Sequence, residues 1–418
     1  MKFIPSFSLL SSDNQALRNF LYYLPSVDSD LSTISAPTPL LLPKSIVEYP
    51  AMVALHHKLF LQPTSQPSSL DRAVSIFKNY ICTLRVQANG CRIAKVDGPA
   101  GEMGNGLPLK KPLNPVLGET FLASVRGNGC DETTIICEQV SHHPPVTASY
   151  IVNQRKGISV QAYLGQITNF TPMNGGITIN QNGHAFTHIR KYNEYHLATF
   201  PAISIRGLWK FGGSEQNLGY SGESQIVSSS GLITDITFRE VNTNGKGIFG
   251  FRSASSSRSG SGREVEAKIS RWHETEGGKR SIEKEPLVTI VGSWDGSLTI
   301  RYMTSGKQEV FVIEQTPMAD IYTSEGNQTQ WNSQKVWGAT KEALEKNDWK
   351  RAAEEKRKVE EWQRGLRRQE ELEGKQWVPK YFKLMESCTI TEYLAKVSNR
   401  PLKNTYEQGG MWRCIRSA

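Results

Sequence analysis

The stretch EQVSHHPPVTA, Glu138 to Ala148, sets His142 and His143 side by side and follows them with Pro144 and Pro145. Consecutive residues of a strand point to opposite faces. The prolines keep the pair out of a helix interior and out of a central ladder position. The motif therefore predicts two imidazoles at a rigid corner, directly after the strand-like run TTIICEQV. Three chemistries use such a pair: metal ligation, a base beside a nucleophile, and donation to an anion. Zinc needs three or four convergent ligands, and Cys137 and Glu138 share no recognised spacing with the pair. A dyad needs a nucleophile oriented by its base, and Ser141 is too close in sequence for that geometry. Two buried histidines without a ligand are the plain alternative.

Two further clusters favour the anion. LKKPLNPVLGETF, Leu109 to Phe121, places paired lysines before a proline-stiffened turn. In EKRKVEEWQR, Lys356, Glu360 and Arg364 fall at i, i+4 and i+8 and line one face of a helix. Such a cation–acid–cation ladder preassembles two positive heads, and Glu360 limits their repulsion while no anion is bound. A phosphate monoester carries a charge of about −1.5 to −2 and three strong acceptor oxygens, and an Arg can bind it as a fork. Lys111, His142, His143, Lys356 and Arg364 meet that demand if the fold brings the segments together.

Other motifs dissolve in context. GKGIFG, Gly245 to Gly250, matches G-x-G-x-x-G, but FRSASSSRSGSG follows, so no helix N-terminus is there for a pyrophosphate. No P-loop, no G-x-S-x-G elbow and no HExxH occurs.

The elements that would hold these residues are mostly strands. From about 111 to 305, runs such as ETTIICEQV, VTASYIV, ISVQAYL, GITINQ, HAFTHIR, HLATFPAISIRGLW, LITDITFREV, EVEAKISRW and LVTIVGSWDGSLTIRY follow one another between Gly, Asn and Ser turns. Consecutive strands without intervening helices predict a sandwich or a closed barrel. Before them, helices are expected at about 44–60 and 69–88, and an irregular glycine-rich loop at 89–110. At the N-terminus, Leu17, Phe20, Leu21 and Leu24 form one apolar stripe at i, i+3, i+4 and i+7, ended by Pro25. A helix that short is marginal alone and must lean on a core, a partner, a membrane or a ligand mouth. The C-terminal part is helical, with interleaved charges and sparse apolar anchors at Val359, Trp362 and Leu366.

Bulk properties narrow the class. The chain has 418 residues, is 38% hydrophobic and carries a formal charge of +9, which favours acidic partners. The interleaved acids of the late helix argue against a basic stripe for nucleic acid. No run of 18 apolar residues occurs, so no spanning helix is expected, and MKFIPSFSLL does not read as a signal peptide. Six cysteines without a CxxC read as reduced thiols of a cytosolic protein.

EQVSHHPP resembles the signature of the oxysterol-binding-protein-related family, and KKPLNPVLGETF and the late KxxxExxxR resemble two further blocks in family order. The resemblance runs over nearly the whole chain and is to short, yeast-type members. It implies a mainly β fold with α subdomains (α+β): a large antiparallel β barrel around a lipid tunnel, an N-terminal lid and flanking helices. The implied division is a lid at 1–33, a helical subdomain at 34–110, the barrel at 111–305 and a second helical subdomain at 306–418. It implies a transfer protein that exchanges sterol for phosphatidylinositol 4-phosphate in one tunnel, not an enzyme, with no cofactor and no metal. Carried over residue by residue, the headgroup set is Lys111, Asn114, His142, His143, Lys356, Glu360 and Arg364. The lid would include Leu17, Phe20, Leu21 and Leu24, and sterol contacts would be Gln87 and Gln181. Family positions for Trp, Tyr and Asn are instead Val53, Ala88 and Leu164. A monomer is implied, cytoplasmic and touching anionic membranes only transiently, without nucleic acid. A phosphoinositide-dependent sensor or scaffold, and a transporter of another lipid such as phosphatidylserine, are the alternatives.

Overall fold

The computed structural model describes residues 36–91, 109–127, 131–171, 176–206, 217–239, 263–275, 280–323, 329–385, 389–398 and 411–415. The Leu17, Phe20, Leu21 and Leu24 stripe and the Gly245–Gly250 motif lie outside these residues.

The chain enters through β1 (Leu41–Ser45), a 3-10 helix (Ile46–Ala54), α1 (His57–Leu61) and α2 (Ser69–Asn89). β2 (Lys111–Leu113) pairs in parallel with β1. The strands that follow are β3 (Thr120–Arg126), β4 (Glu132–His142), β5 (Pro145–Asn153), β6 (Ile158–Thr171), β7 (Gly176–Ile189), β8 (Glu194–Ala198), β9 (Ala202–Arg206), β10 (Asn217–Ser228), β11 (Leu232–Arg239), β12 (Glu264–Glu274), β13 (Arg280–Ile282), β14 (Val288–Ser293), β15 (Ser297–Tyr302), β16 (Gln308–Val312) and β17 (Ile321–Thr323). They build one antiparallel sheet of 15 strands, ordered β16-β15-β14-β12-β11-β10-β8-β7-β6-β5-β4-β3-β17, with β9 bridging β7 and β10 and β13 beside β12. Among the described residues no pairing joins β16 to β17. The C-terminal part adds α3 (Ser333–Val336), α4 (Gly338–Glu345), α5 (Trp349–Leu372), β18 (Phe382–Met385), α6 (Thr389–Val397) and β19 (Met411–Cys414).

Strand alternation divides the core between two faces. On the inner face, Ile135, Cys137, Ile151, Ile158 and Val160 pack against Val47, Ala51 and Ala54 of the 3-10 helix and Phe60 of α1. Further along, Tyr220, Ile236, Val265, Ala267, Ile290 and Ile300 pack against Ala73, Val74, Phe77, Ile81, Leu84 and Ala88 of α2. The spacing of those α2 residues is one helical stripe, and Ser68 caps the helix by accepting from Asp71 N. On the outer face, Ile136, Val140, Ala148 and Tyr163 meet Tyr381 and Phe382, while Val227, Ile233 and Trp272 meet Leu394 and Val397 of α6.

Three local expectations change. The helix expected at 44–60 is a strand, a 3-10 helix and one short α-helix, because Pro43 and Pro50 deny the segment a regular hydrogen-bond ladder. GITINQ and HAFTHIR are one strand, β7, and Asn182-Gly183 is no turn. Gly183 has φ +142°, and a Cβ there would lie 2.1 Å from the Tyr163 carbonyl oxygen, so glycine serves close strand approach. HLATFPAISIRGLW is broken at Pro201 into β8 and β9. The sheet also takes in β16 and β17, both beyond residue 305.

Candidate functional site

The two histidines occupy the tip of the β4–β5 hairpin. Pairing shifts register between Gln139 and Ser141 and ends with His142 opposite Pro145. The His143–Pro144 bond is cis. The Ser141 hydroxyl donates to Pro144 O at 2.7 Å, closing the turn. Ser141 is therefore a turn residue, not a nucleophile. The rings of His142 and His143 stand 4.6 Å apart at 64°, and both residues are exposed. His142 titrates below the ordinary imidazole range: surrounding protein removes part of its water, and His143 and then Arg367 add positive charge nearby. Among the described residues no three His, Cys, Asp or Glu side chains gather as metal ligands. The pair stands at the corner of the hairpin.

The KKPLNPVLGE segment is fastened beside that hairpin. Lys111 lies in β2, opposite Leu41, and Asn114 opens the turn that follows. Leu113 and Val116 are buried. Gly118 N donates to Gln139 O at 2.9 Å, and Gln139 N donates to Glu119 O at 2.8 Å. These bonds sit three residues before His142. The Glu119 carboxylate, fully buried, accepts from Val116 N at 2.9 Å and from Trp337 Nε1 at 2.8 Å. Its burial pushes its pKa up to about 7, against the pull of those two hydrogen bonds. Gly118 has φ +82°, and a Cβ there would come 3.2 Å from Trp377 Nε1. The Trp377 segment is held in turn by Glu138, 1% exposed, whose carboxylate accepts from Lys380 N at 2.7 Å and Tyr381 N at 2.8 Å. The glutamate of the EQVSHHPP motif is thus a clamp on the outer face.

The third segment is α5. Asp348 caps it by accepting from Arg351 N at 3.0 Å. Ala352 and Val359 join Leu113, Val116 and Trp337 in one apolar cluster, which lays the helix on the KKPLN segment. Lys110 Nζ sits 5.0 Å from the centre of the Trp349 ring at the helix start. Lys356 is 12% exposed and ion-paired with Glu360; Arg364, one turn on, is exposed. Arg367 is near enough to His142 to depress its pKa. The three motif segments, remote in sequence, therefore adjoin one another. Of the expected anchors, Val359 and Leu366 are half-buried, but Trp362 is 38% exposed. Its ring lies 4.9 Å from that of half-buried Trp331, tilted by 33°, and Thr120 N donates to Trp331 O, which fixes that partner.

Gln87 and Gln181 meet on the inner face. Gln87 Nε2 donates to Gln181 Oε1 at 3.2 Å, and Gln181 Nε2 donates to Pro201 O at 2.7 Å. The Tyr220 hydroxyl donates to Leu84 O at 2.7 Å and lies 3.3 Å from Gln87 Oε1. Tyr49 and Cys91 extend the polar chain at 3.7 Å. Ala88 is buried in the α2 core, and Val53 O accepts from Asn79 Nδ2.

The family model for the oxysterol-binding protein matches residues 22–342. The chain belongs to the oxysterol-binding protein family. Within this oxysterol-binding protein family it is 31% identical to protein kes1 of Schizosaccharomyces pombe over 98% of this chain and 95% of the relative. It is 30% identical to protein KES1 of Mycosarcoma maydis over 86% of this chain and 85% of the relative. Among solved structures, the Osh1 ORD domain in complex with ergosterol matches with a TM-score of 0.64 at 17% identity, covering 96% of this chain and 90% of that one. The Osh3 ORD of Saccharomyces cerevisiae in complex with PI(4)P matches with a TM-score of 0.62 at 20% identity, over 95% and 90%. Both share the fold.

Sequence reasoning missed Glu119, Glu138, Trp377 and Tyr220. Glu119 and Glu138 stand inside the quoted motifs, but residue type alone does not show that they are buried and hold backbone amides.

Proposed function

We propose that the protein carries one lipid at a time between membranes, taking sterol and phosphatidylinositol 4-phosphate in alternation. The observation that carries this reading is the meeting of the three cationic segments: Lys111 and Asn114, His142 and His143, and Lys356, Glu360 and Arg364, held together by the Gln139 backbone bonds and the Leu113–Val116–Val359 cluster. A phosphomonoester needs several cationic donors from different directions, and one helix cannot supply them. Glu360 keeps Lys356 in place before the ligand arrives. The ligands held by two proteins of the same fold, ergosterol and PI(4)P, support the same pairing.

In this reading the acyl chains or sterol body lie along the inner face of the sheet. The Gln87–Gln181–Tyr220 group meets the sterol hydroxyl. Several hundred Å² of hidden apolar surface, at about 25 cal/mol per Å², is worth on the order of 10 kcal/mol against water. A membrane offers nearly the same shelter, so extraction is near balance and the two lipid gradients set the direction. The cationic rim docks on an anionic leaflet, each Lys or Arg there adding about 1 kcal/mol. No bond is made or broken. Transfer of a fluorescent sterol between vesicles tests this: it should saturate, and phosphatidylinositol 4-phosphate should compete it away. Sterol binding untouched by that lipid would sink the shared-tunnel reading, and binding without net transfer would favour a sensor.

A further inference from the structure

α5 carries more polar recognition than its motif needs. Gln363 is 7% exposed, one of two buried residues on this mostly charged helix. Among the described residues neither its Nε2 nor its Oε1 has a hydrogen-bond partner. Arg367 Nε is likewise buried without a partner, while its Nη1 is held by Glu370 at 2.7 Å. Lys356, Gln363 and Arg367 fall at i, i+7 and i+11, hence on one helical face. That face continues from Ala352 and Val359, which pack on Leu113 and Val116. Arg367 also stands close enough to His142 to act on its charge. A buried amide left unpaired is costly, and a ligand that supplied the partners missing among the described residues would remove that cost.

We propose that Gln363 and Arg367 contact the ligand directly, extending the anion site along α5 to read the hydroxyl groups of a phosphorylated polyol headgroup. The chemistry of the amide makes the choice. Nε2 needs an acceptor and Oε1 needs a donor. A phosphate dianion offers acceptors only and would leave Oε1 unpaired. A ring hydroxyl gives and accepts, and satisfies both. Arg367 Nε–H then takes a hydroxyl or phosphate oxygen. Lys111, the histidines, Lys356 and Arg364 bind charge; Gln363 and Arg367 distinguish a polyol phosphate from a bare one. This deepens the lipid reading above and rests on it.

The test compares wild type with Gln363→Met, which keeps length and burial but loses both polar atoms, and with Arg367→Lys, which keeps charge but loses the Nε–H. Extraction is measured from phosphatidylcholine vesicles containing either phosphatidylinositol 4-phosphate or phosphatidic acid. Free inositol 1,4-bisphosphate and glycerol 3-phosphate, added without vesicles, separate headgroup from membrane effects. Both variants should lose about tenfold in affinity for the inositol ligands and be unchanged toward phosphatidic acid and glycerol 3-phosphate. Gln363→Met without ligand should melt no lower than wild type. In wild type, the Gln363 side-chain amide signal should move when inositol 1,4-bisphosphate is added, whether or not either variant folds. Equal affinity of folded variants for both headgroups, or a stationary amide signal, would mean that water alone fills the position, and would overturn the proposal. A wild-type protein that extracts no phosphoinositide at all would instead refute the lipid reading on which it rests.

Discussion

Replacing Glu119 by Gln should flatten the pH dependence of stability between about 4.5 and 7. Glu119 is fully buried and ties the KPLNPVLGE turn through Val116 N and Trp337 Nε1. Burial raises its carboxyl from 4.5 to about 7. At ~1.4 kcal/mol per pH unit, the charged form is disfavoured in the folded protein by roughly 3 kcal/mol. The folded pKa lies above the unfolded one, so the folded state binds the extra proton. Stability is fully present below about 4.5 and is lost as pH rises through about 7. Other carboxyls titrate in the same range, so the quantity to measure is the difference between Glu119→Gln and wild type. Urea unfolding at pH 4.5, 6, 7 and 8 should show that difference growing in favour of the variant by roughly 3 kcal/mol, with m unchanged. A difference independent of pH would refute a neutral, desolvated Glu119 and the close packing of the turn that produces it.

Gly183→Ala should destabilise by on the order of 3 kcal/mol, since its Cβ would press on the Tyr163 carbonyl at 2.1 Å; a loss of unfolding free energy in urea below a tenth of that would contradict the β6–β7 register. Glu138→Ala should cost about 3 kcal/mol by freeing Lys380 N and Tyr381 N, and hydrogen exchange should speed at those two amides specifically. Gln181→Leu should weaken sterol binding about tenfold and spare phosphatidylinositol 4-phosphate, read by fluorescent-sterol titration and lipid extraction; equal loss of both lipids would place Gln181 in the scaffold.

Legibility in the sequence followed the range over which each interaction acts. Strand alternation is local, so β4, β5, β6, β11 and β12 could be drawn from their own residues. Gly183 could not: Asn-Gly reads as a turn, and only the Tyr163 carbonyl, far away in sequence, makes it a strand glycine. The segment after Pro43 has helical composition, but Pro50 turns it into a 3-10 helix. Lys356, Glu360 and Arg364 announce their common face by spacing. Gln363 does not, because in a helix of interleaved charges a buried amide looks like any other polar residue until burial is known. Convergence of the three segments depends on backbone bonds such as Gly118 N to Gln139 O, which no residue type encodes. The Gln87–Gln181 contact came from the resemblance, and the structure supplies its third member, Tyr220.

In the proposed function Lys111, the His142–His143 pair and Lys356 act on one anion. Extraction of phosphatidylinositol 4-phosphate from liposomes by Lys111→Ala, His142→Ala/His143→Ala and Lys356→Ala tests it most directly. Each folded variant should lose extraction while still binding sterol. Folded variants that extract the phosphoinositide as wild type does would contradict it.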